Sequence, residues 1–136
     1  MWAVIDTSVY IGHWERGLYA DTLTEVRKAF VVRHSAVVLS ELRRGARTRD
    51  AAKTIARLHD LAPDIWEPTA KDWWETGRII RTVGDARDWD PSKRRDFQND
   101  ALIAVTARAH GATVVTANRE DFEILGRNLG VRVLVV

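Results

Sequence analysis

Short apolar runs rich in β-branched residues alternate along this sequence with stretches of helical spacing. That alternation constrains the fold more than any other feature, because strands separated by helices point to an α/β sandwich with a mostly parallel sheet. The first run, Trp2–Ile5, stops at Asp6-Thr7-Ser8, a polar cluster suited to opening a helix. Gly12 and Gly17 should keep that helix short or bent. Residues 30–33 read as a second strand, after which Ser35 can cap a helix carrying Val38, Leu39 and Leu42 to a stop at Gly45. Residues 37–39 taken alone fit strand and helix equally. Residues 51–61 and 69–82 have helical spacing, the first through Ile55, Leu58 and Leu61, the second through Trp73, Gly77 and Ile80. The polar stretch 84–95, with Asp90-Pro91, reads as a loop. Beyond Pro91 a long helix is expected through Ala101, Leu102, Val105 and Ala109 to Gly111. A strand at 113–116, a short helix at 119–125 and a last strand at 131–136 follow. In such sheets ligands bind at the carboxyl ends of the strands.

The chain has 136 residues, 46% of them hydrophobic, enough to bury a core, and one domain spanning 1–136 is expected. It has no cysteine, so a disulfide framework is excluded and any metal must be held by oxygen or imidazole. No apolar run approaches the ~20 residues of a membrane-spanning helix. Met1 leads directly into the first strand without a basic leader, so a cytoplasmic protein with no membrane association is expected. The net charge of +2 says little about partners. The basic residues are nevertheless clustered: Arg43, Arg44, Arg47, Arg49, Lys53 and Arg57 share one stretch, and Lys93, Arg94 and Arg95 another.

Four acids stand out by their neighbours. Asp6 follows the first strand, Asp121 lies just beyond the strand ending at Thr116, Glu41 is on the helix after the second strand, and Asp100 is on the long helix. Each adjoins apolar, core-forming sequence, unlike a solvated charge run. Two carboxylates ~5 Å apart repel by roughly 3 kcal/mol at an effective dielectric of ~20, so a cluster of four must take up protons or bind a cation. Oxygen ligation completed by water suits Mg²⁺ or Mn²⁺, and the scattered His13, His34, His59 and His110 offer no zinc-like pair. Taken singly, each acid has a plainer reading: Asp6 as a helix cap, Glu41 and Asp100 as solvated helix residues.

Four segments together carry a family resemblance: Ile5-Asp6-Thr7-Ser8-Val9, Ser35 through Glu41-Leu42-Arg43-Arg44-Gly45, Asn99-Asp100-Ala101-Leu102-Ile103-Ala104, and Val115-Thr116-Ala117-Asn118-Arg119-Glu120-Asp121-Phe122. In order, spacing and length the whole chain resembles the PIN-domain ribonucleases, and among them the VapC toxins of toxin-antitoxin pairs. The resemblance implies a three-layer sandwich with a mostly parallel central sheet flanked by helices. It also implies a sequence-selective endoribonuclease in which Asp6, Glu41, Asp100 and Asp121 act as catalytic metal ligands for Mg²⁺ or Mn²⁺, supported by the hydroxyls of Ser8 and Thr116. Products would carry 5′-phosphate and 3′-hydroxyl ends. Many PIN domains have an acid two residues after the threonine, where this chain has Asn118; Asp121 is then the fourth acid, and Asp96 an auxiliary candidate.

Arg43, Arg44 and Arg47 follow Glu41 closely enough to steer RNA phosphates, and equally form an ordinary solvated helix face. Among the tryptophans, Trp14 and Trp89 are expected to be exposed enough to contact RNA, and Trp2, Trp73 and Trp74 to lie in the core or a dimer interface. The resemblance further implies a small VapB-like antitoxin partner and a homodimer, extended to a heterotetramer or larger assembly with the antitoxin. Two rival readings stand beside this one. A phosphatase or receiver-like phosphotransfer domain would need an acid where Ser8 stands or beside Asp6, and a lysine after a late strand. A non-catalytic RNA- or protein-binding PIN module would not need all four acids.

Overall fold

The computed structural model describes residues 1–136. Five strands form one sheet in the order β3-β2-β1-β4-β5, with every neighbouring pair parallel. β1 (Trp2–Ile5) lies at the centre between β2 (Val31–Ser35) and β4 (Thr113–Thr116). Ala3, Val4 and Ile5 and all of β4 are buried, so both faces of the sheet are covered there, the environment in which continuous apolar strands are expected. The edge strands, β3 (Ile65–Trp66) and β5 (Arg132–Val135), are short or half-exposed.

The path of the chain makes β1 and β4 the important neighbours. From β1 it runs outward through α1 (Thr7–Arg16) and α2 (Ala20–Ala29) to β2, then through α3 (Ala36–Gly45) and α4 (Arg49–Leu61) to β3. It then returns across the sheet through α5 (Ala70–Arg87) and α6 (Pro91–Ala109) to β4, and proceeds by α7 (Arg119–Leu129) to β5. The strand order thus reverses beside β1, and the crevice at the carboxyl ends of β1 and β4 is where this topology leaves room for a ligand. α6 carries the core on that side. Ala101 through Ala107 are buried on every face of the helix, which packs against α5, α7, β4 and α3.

The expected elements recur with specific differences. α1 runs through Gly12 and ends at Gly17, whose φ of 65° supplies the left-handed cap that an L residue adopts only with strain. A second helix, α2, does not figure among the expected elements, nor does β3, whose two residues pair only with His34 and Ser35. The stretch 84–95 is not a loop. α5 continues to Arg87 and α6 starts at Pro91, leaving only Asp88, Trp89 and Asp90 between them. Local chemistry explains the two helices: Thr69 and Asp72 form a reciprocal capping box on α5, and Asp90 caps α6 ahead of Pro91 in the first turn. Trp73 and Trp74 are not core residues, with 50% and 85% exposure, whereas Trp89 is half-buried rather than free for contacts. Trp14 is exposed as expected. No helix is long and apolar enough to cross a membrane.

Candidate active site

Asp6 is the first residue beyond β1, and its N–H still donates to the Val115 carbonyl of β4 at 2.8 Å, so the sheet itself fixes its backbone. It occupies the cap position of α1 but its side chain makes no capping hydrogen bond. Instead, Oδ2 accepts from Ser8 Oγ at 2.7 Å and from Thr116 Oγ1 at 2.9 Å. The two hydroxyls are themselves oriented: Ser8 Oγ accepts from the Ala117 N–H, and Thr116 Oγ1 from the Asn118 N–H. A chain of donors therefore runs from the backbone after β4, through two hydroxyls, into one carboxylate. The carboxylate is 3% exposed. Burial raises its pKa, opposed by the Ser8 and Thr116 bonds and more weakly by the nearby N–H groups of Thr7 and Ser8.

Asp100 stands on α6, facing the same crevice. Its carboxyl is pushed up to about 8, first by burial and then by the negative charges of Asp6, Asp121 and Glu41. Asp100 thus feels the other three acids, although the four come from α3, α6, the first turn of α7 and the end of β1. Asn118 joins two of them: its Nδ2 donates to Asp100 Oδ2 at 3.2 Å and to Asp121 Oδ2 at 3.3 Å. Glu41 Oε1 accepts from Thr7 Oγ1 at 2.9 Å. Lys93 Nζ donates to Asp121 Oδ1 and Oδ2 at 3.1 and 3.3 Å.

The chemistry of this donor set fits a hard divalent cation, in a particular way. No group of three carboxylates or imidazoles is arranged to hold a single ion, so the site is not a ready-made cage. Mg²⁺ commonly binds through one or two carboxylates and keeps several waters. Asp6 and Asp100, which repel each other when both are charged and have no cationic partner, would suit that role, with Glu41 and Asp121 as the further acids of the site.

Other residues singled out in the sequence fall in different places. Arg43, Arg44 and Arg47 are exposed. Arg47 lines a cavity of about 250 Å³ together with Glu41 and Trp14. Arg43 instead lines a separate cavity of about 610 Å³ between α3 and α4, with Leu39, Ile55 and His59. Asp96 is exposed on α6 and makes no hydrogen bond to the acids. The histidines are structural or on the surface: His13 bonds the Leu18 carbonyl, His34 meets the buried Tyr10, His59 pairs with Asp60, and His110 stacks on Trp66. Three residues join the site that sequence reasoning did not place there: Thr7, Asn118 as a bridging donor, and Lys93. One signal pointed to Lys93: a helix beginning at Asp90-Pro91 puts it two turns before Asp100, on the same face.

The PIN domain family model matches residues 3–128 of this chain. No curated protein matches the sequence directly. Among solved structures, similar chains occur in VapBC2 from Rickettsia felis bound to a DNA fragment from their promoter (23% identity, TM-score 0.69, covering 100% of this chain and 99% of that one). Another occurs in VapBC-1 from nontypeable Haemophilus influenzae (17%, 0.74, 99% and 98%). A third is in VapBC-5, a member of the VapBC family of toxin-antitoxin systems from Mycobacterium tuberculosis (24%, 0.62, 99% and 98%). At these identities the likeness concerns the fold.

Proposed function

The chain belongs to the PIN domain family, and from that premise we propose that it is a VapC-like toxin: an Mg²⁺- or Mn²⁺-dependent endoribonuclease restrained by a small VapB-like antitoxin. The observation that carries this reading is the buried Asp6 carboxylate, fixed by two hydroxyls at the carboxyl ends of β1 and β4, close enough to Asp100 that its charge, with those of Asp121 and Glu41, raises the Asp100 carboxyl. A fold gains nothing from burying Asp6 and Asp100 close enough to repel when both are charged, and a divalent cation is what such a pair is suited to hold.

Asp6 and Asp100 would hold the ion, with Glu41 and Asp121 beside it. When bound, a divalent cation supplies a Lewis acid for the phosphoryl oxygens of RNA and a water of lowered pKa for hydrolysis. The chain's own residues set the conditions for that chemistry. Ser8 and Thr116 donate to Asp6 Oδ2 and so fix how the carboxylate is presented. Thr7 restrains Glu41, and Asn118 holds Asp100 and Asp121 in fixed relation. Asp100, with its pKa near 8, keeps a proton on its carboxyl at neutral pH and must release it to become a ligand. Arg47, beside Glu41, supplies positive charge near an otherwise negative groove and is the best placed of the three arginines to meet a phosphate.

The antitoxin reading is supported by the VapBC assemblies in which the similar chains were solved. The same reading includes a homodimer, joined with antitoxin into a heterotetramer or larger assembly. Two measurements test the function. Cleavage of an RNA panel should require Mg²⁺ or Mn²⁺ and stop with chelator, and cleavage that survives complete chelation would end the metal-dependent reading. Expression alone should arrest growth, and co-expression with an adjacent short gene should restore it; harmless expression of an RNA-cleaving protein would leave a nuclease that is not a toxin.

A further inference from the structure

Lys93 supplies the one cation in contact with the four acids. Asp6 is satisfied by hydroxyls, Glu41 by Thr7 and Asp100 by an amide, whereas Asp121 has an ammonium bonded to both of its oxygens. The ammonium is held from below. Its Nζ lies 5.0 Å from the centre of the Trp89 ring and 5.8 Å from that of Phe97, distances at which an aromatic face attracts a cation. Trp89 meets Phe97 edge-on at 4.8 Å, and Phe97 is fully buried, so the shelf is anchored in the core.

The backbone around it is braced as well. Asp90 caps α6 by accepting from the Lys93 N–H at 2.8 Å. Arg94, the next residue, donates to the Trp89 carbonyl and to Asp85 Oδ1, each at 3.0 Å, tying the α5–α6 turn together. Its guanidinium lies against Gly84, where an added Cβ would come within 2.8 Å of it. Cap, brace and aromatic shelf all serve to place the ammonium at Asp121, unlike a surface ion pair whose long side chains wander.

This placement divides the cluster. On one side Asp6 and Asp100 are uncompensated, while on the other Asp121 is already neutralised. A second divalent ion on the Asp121 carboxylate would have to displace this built-in cation. Resting on the reading that the carboxylates hold a divalent ion, we propose that Lys93 is a positioning residue that acts as the fixed cation of the Asp121 arm, so that the site takes one divalent ion rather than two.

The test is titration of Mn²⁺ into the full chain by calorimetry, with electron paramagnetic resonance to detect an exchange-coupled Mn²⁺ pair. Wild type and Lys93→Arg should bind one ion and give an uncoupled spectrum. Lys93→Met should bind two, give a coupled spectrum, and hold the first ion about tenfold more tightly because a neighbouring positive charge is gone. Lys93→Gln serves as a second neutral variant, and melting in chelator checks that each variant is folded. Two ions on wild type, or a neutral variant that binds one ion with unchanged affinity, would overturn the assignment. Failure of wild type to bind Mn²⁺ better than Asp6→Asn does would overturn the metal reading itself and this proposal with it.

Discussion

Replacing Asp100 by Asn should stabilise the ion-free protein, and by an amount that grows with pH. The folded pKa of Asp100, about 8, stands well above the 3.8 of an ordinary aspartate. Between those values the folded state keeps a proton that the unfolded chain has released, so the wild type loses stability as pH rises through this window and levels off above it. At 1.36 kcal/mol per pH unit the whole shift sets a ceiling of about 6 kcal/mol. Burial is its largest cause, and a buried amide also loses hydration, so only the share due to Asp6, Asp121 and Glu41 is fully relieved. A net gain of ~1–3 kcal/mol at pH 8.5 is expected, or roughly 3–10 °C in Tm for a domain of this size. The Asn118 bond survives, because the new side chain keeps an acceptor oxygen. The assay is thermal melting of wild type and Asp100→Asn in chelator from pH 4.5 to 8.5, repeated with Mn²⁺. The difference should be near zero at the acid end and largest at the basic end. Saturating Mn²⁺ should reverse its sign, since an ion at 100 times its Kd adds about 2.7 kcal/mol to the protein that binds it. A difference independent of pH, or a variant less stable than wild type at pH 8.5 in chelator, would refute the electrostatic reasoning.

Asp6→Asn should lose RNA cleavage and most of the Mn²⁺-dependent rise in Tm while remaining folded; activity and melting of the same preparation check both. Thr116→Ala removes a donor to Asp6 Oδ2 and should weaken Mn²⁺ binding by about 10–100-fold, the usual effect of losing a group that orients a ligand, as read by calorimetry. Replacing Arg43, Arg44 and Arg47 together by Gln should lower the salt slope of single-stranded RNA binding by about 0.7 for each phosphate no longer neutralised. With only Arg47 sharing a cavity with Glu41, a drop equivalent to one phosphate rather than three is expected, and an unchanged slope would return all three to the solvated surface.

Much of the fold was legible because its central strands are continuous apolar runs ended abruptly by polar residues. Asp6 and Thr116 end neighbouring strands, and a parallel sheet brings such ends to one rim. The residues that escaped notice depend on tertiary context. The stretch 84–95 is polar because it covers exposed helix surface, and Gly84 within it is not a breaker but a seat for Arg94. β3 is too short to carry a pattern and exists only through its pairing with β2. Trp73 and Trp74 follow helical spacing, yet α5 buries Asp72, Thr76, Ile79 and Val83 instead, a choice that composition alone could not make. The role of Lys93 required knowing that α7 swings Asp121 back over the start of α6, a distance of 28 residues in sequence.

The hydrogen bond between Thr116 and Asp6 spans 110 residues of chain. During synthesis β1 leaves the ribosome first, but the Asp6 carboxylate beyond it lacks the Asp100 neighbour until α6 has followed, and the Thr116 hydroxyl until β4 has followed. At elongation rates of ~5–20 residues per second, Asp6 waits several seconds or more for these partners. The acidic centre therefore exists only once β4 has joined β1. A truncated or nascent fragment ending before β4 carries Asp6, Glu41 and Asp100 but neither the strand that flanks Asp6 nor the Thr116 hydroxyl that holds it.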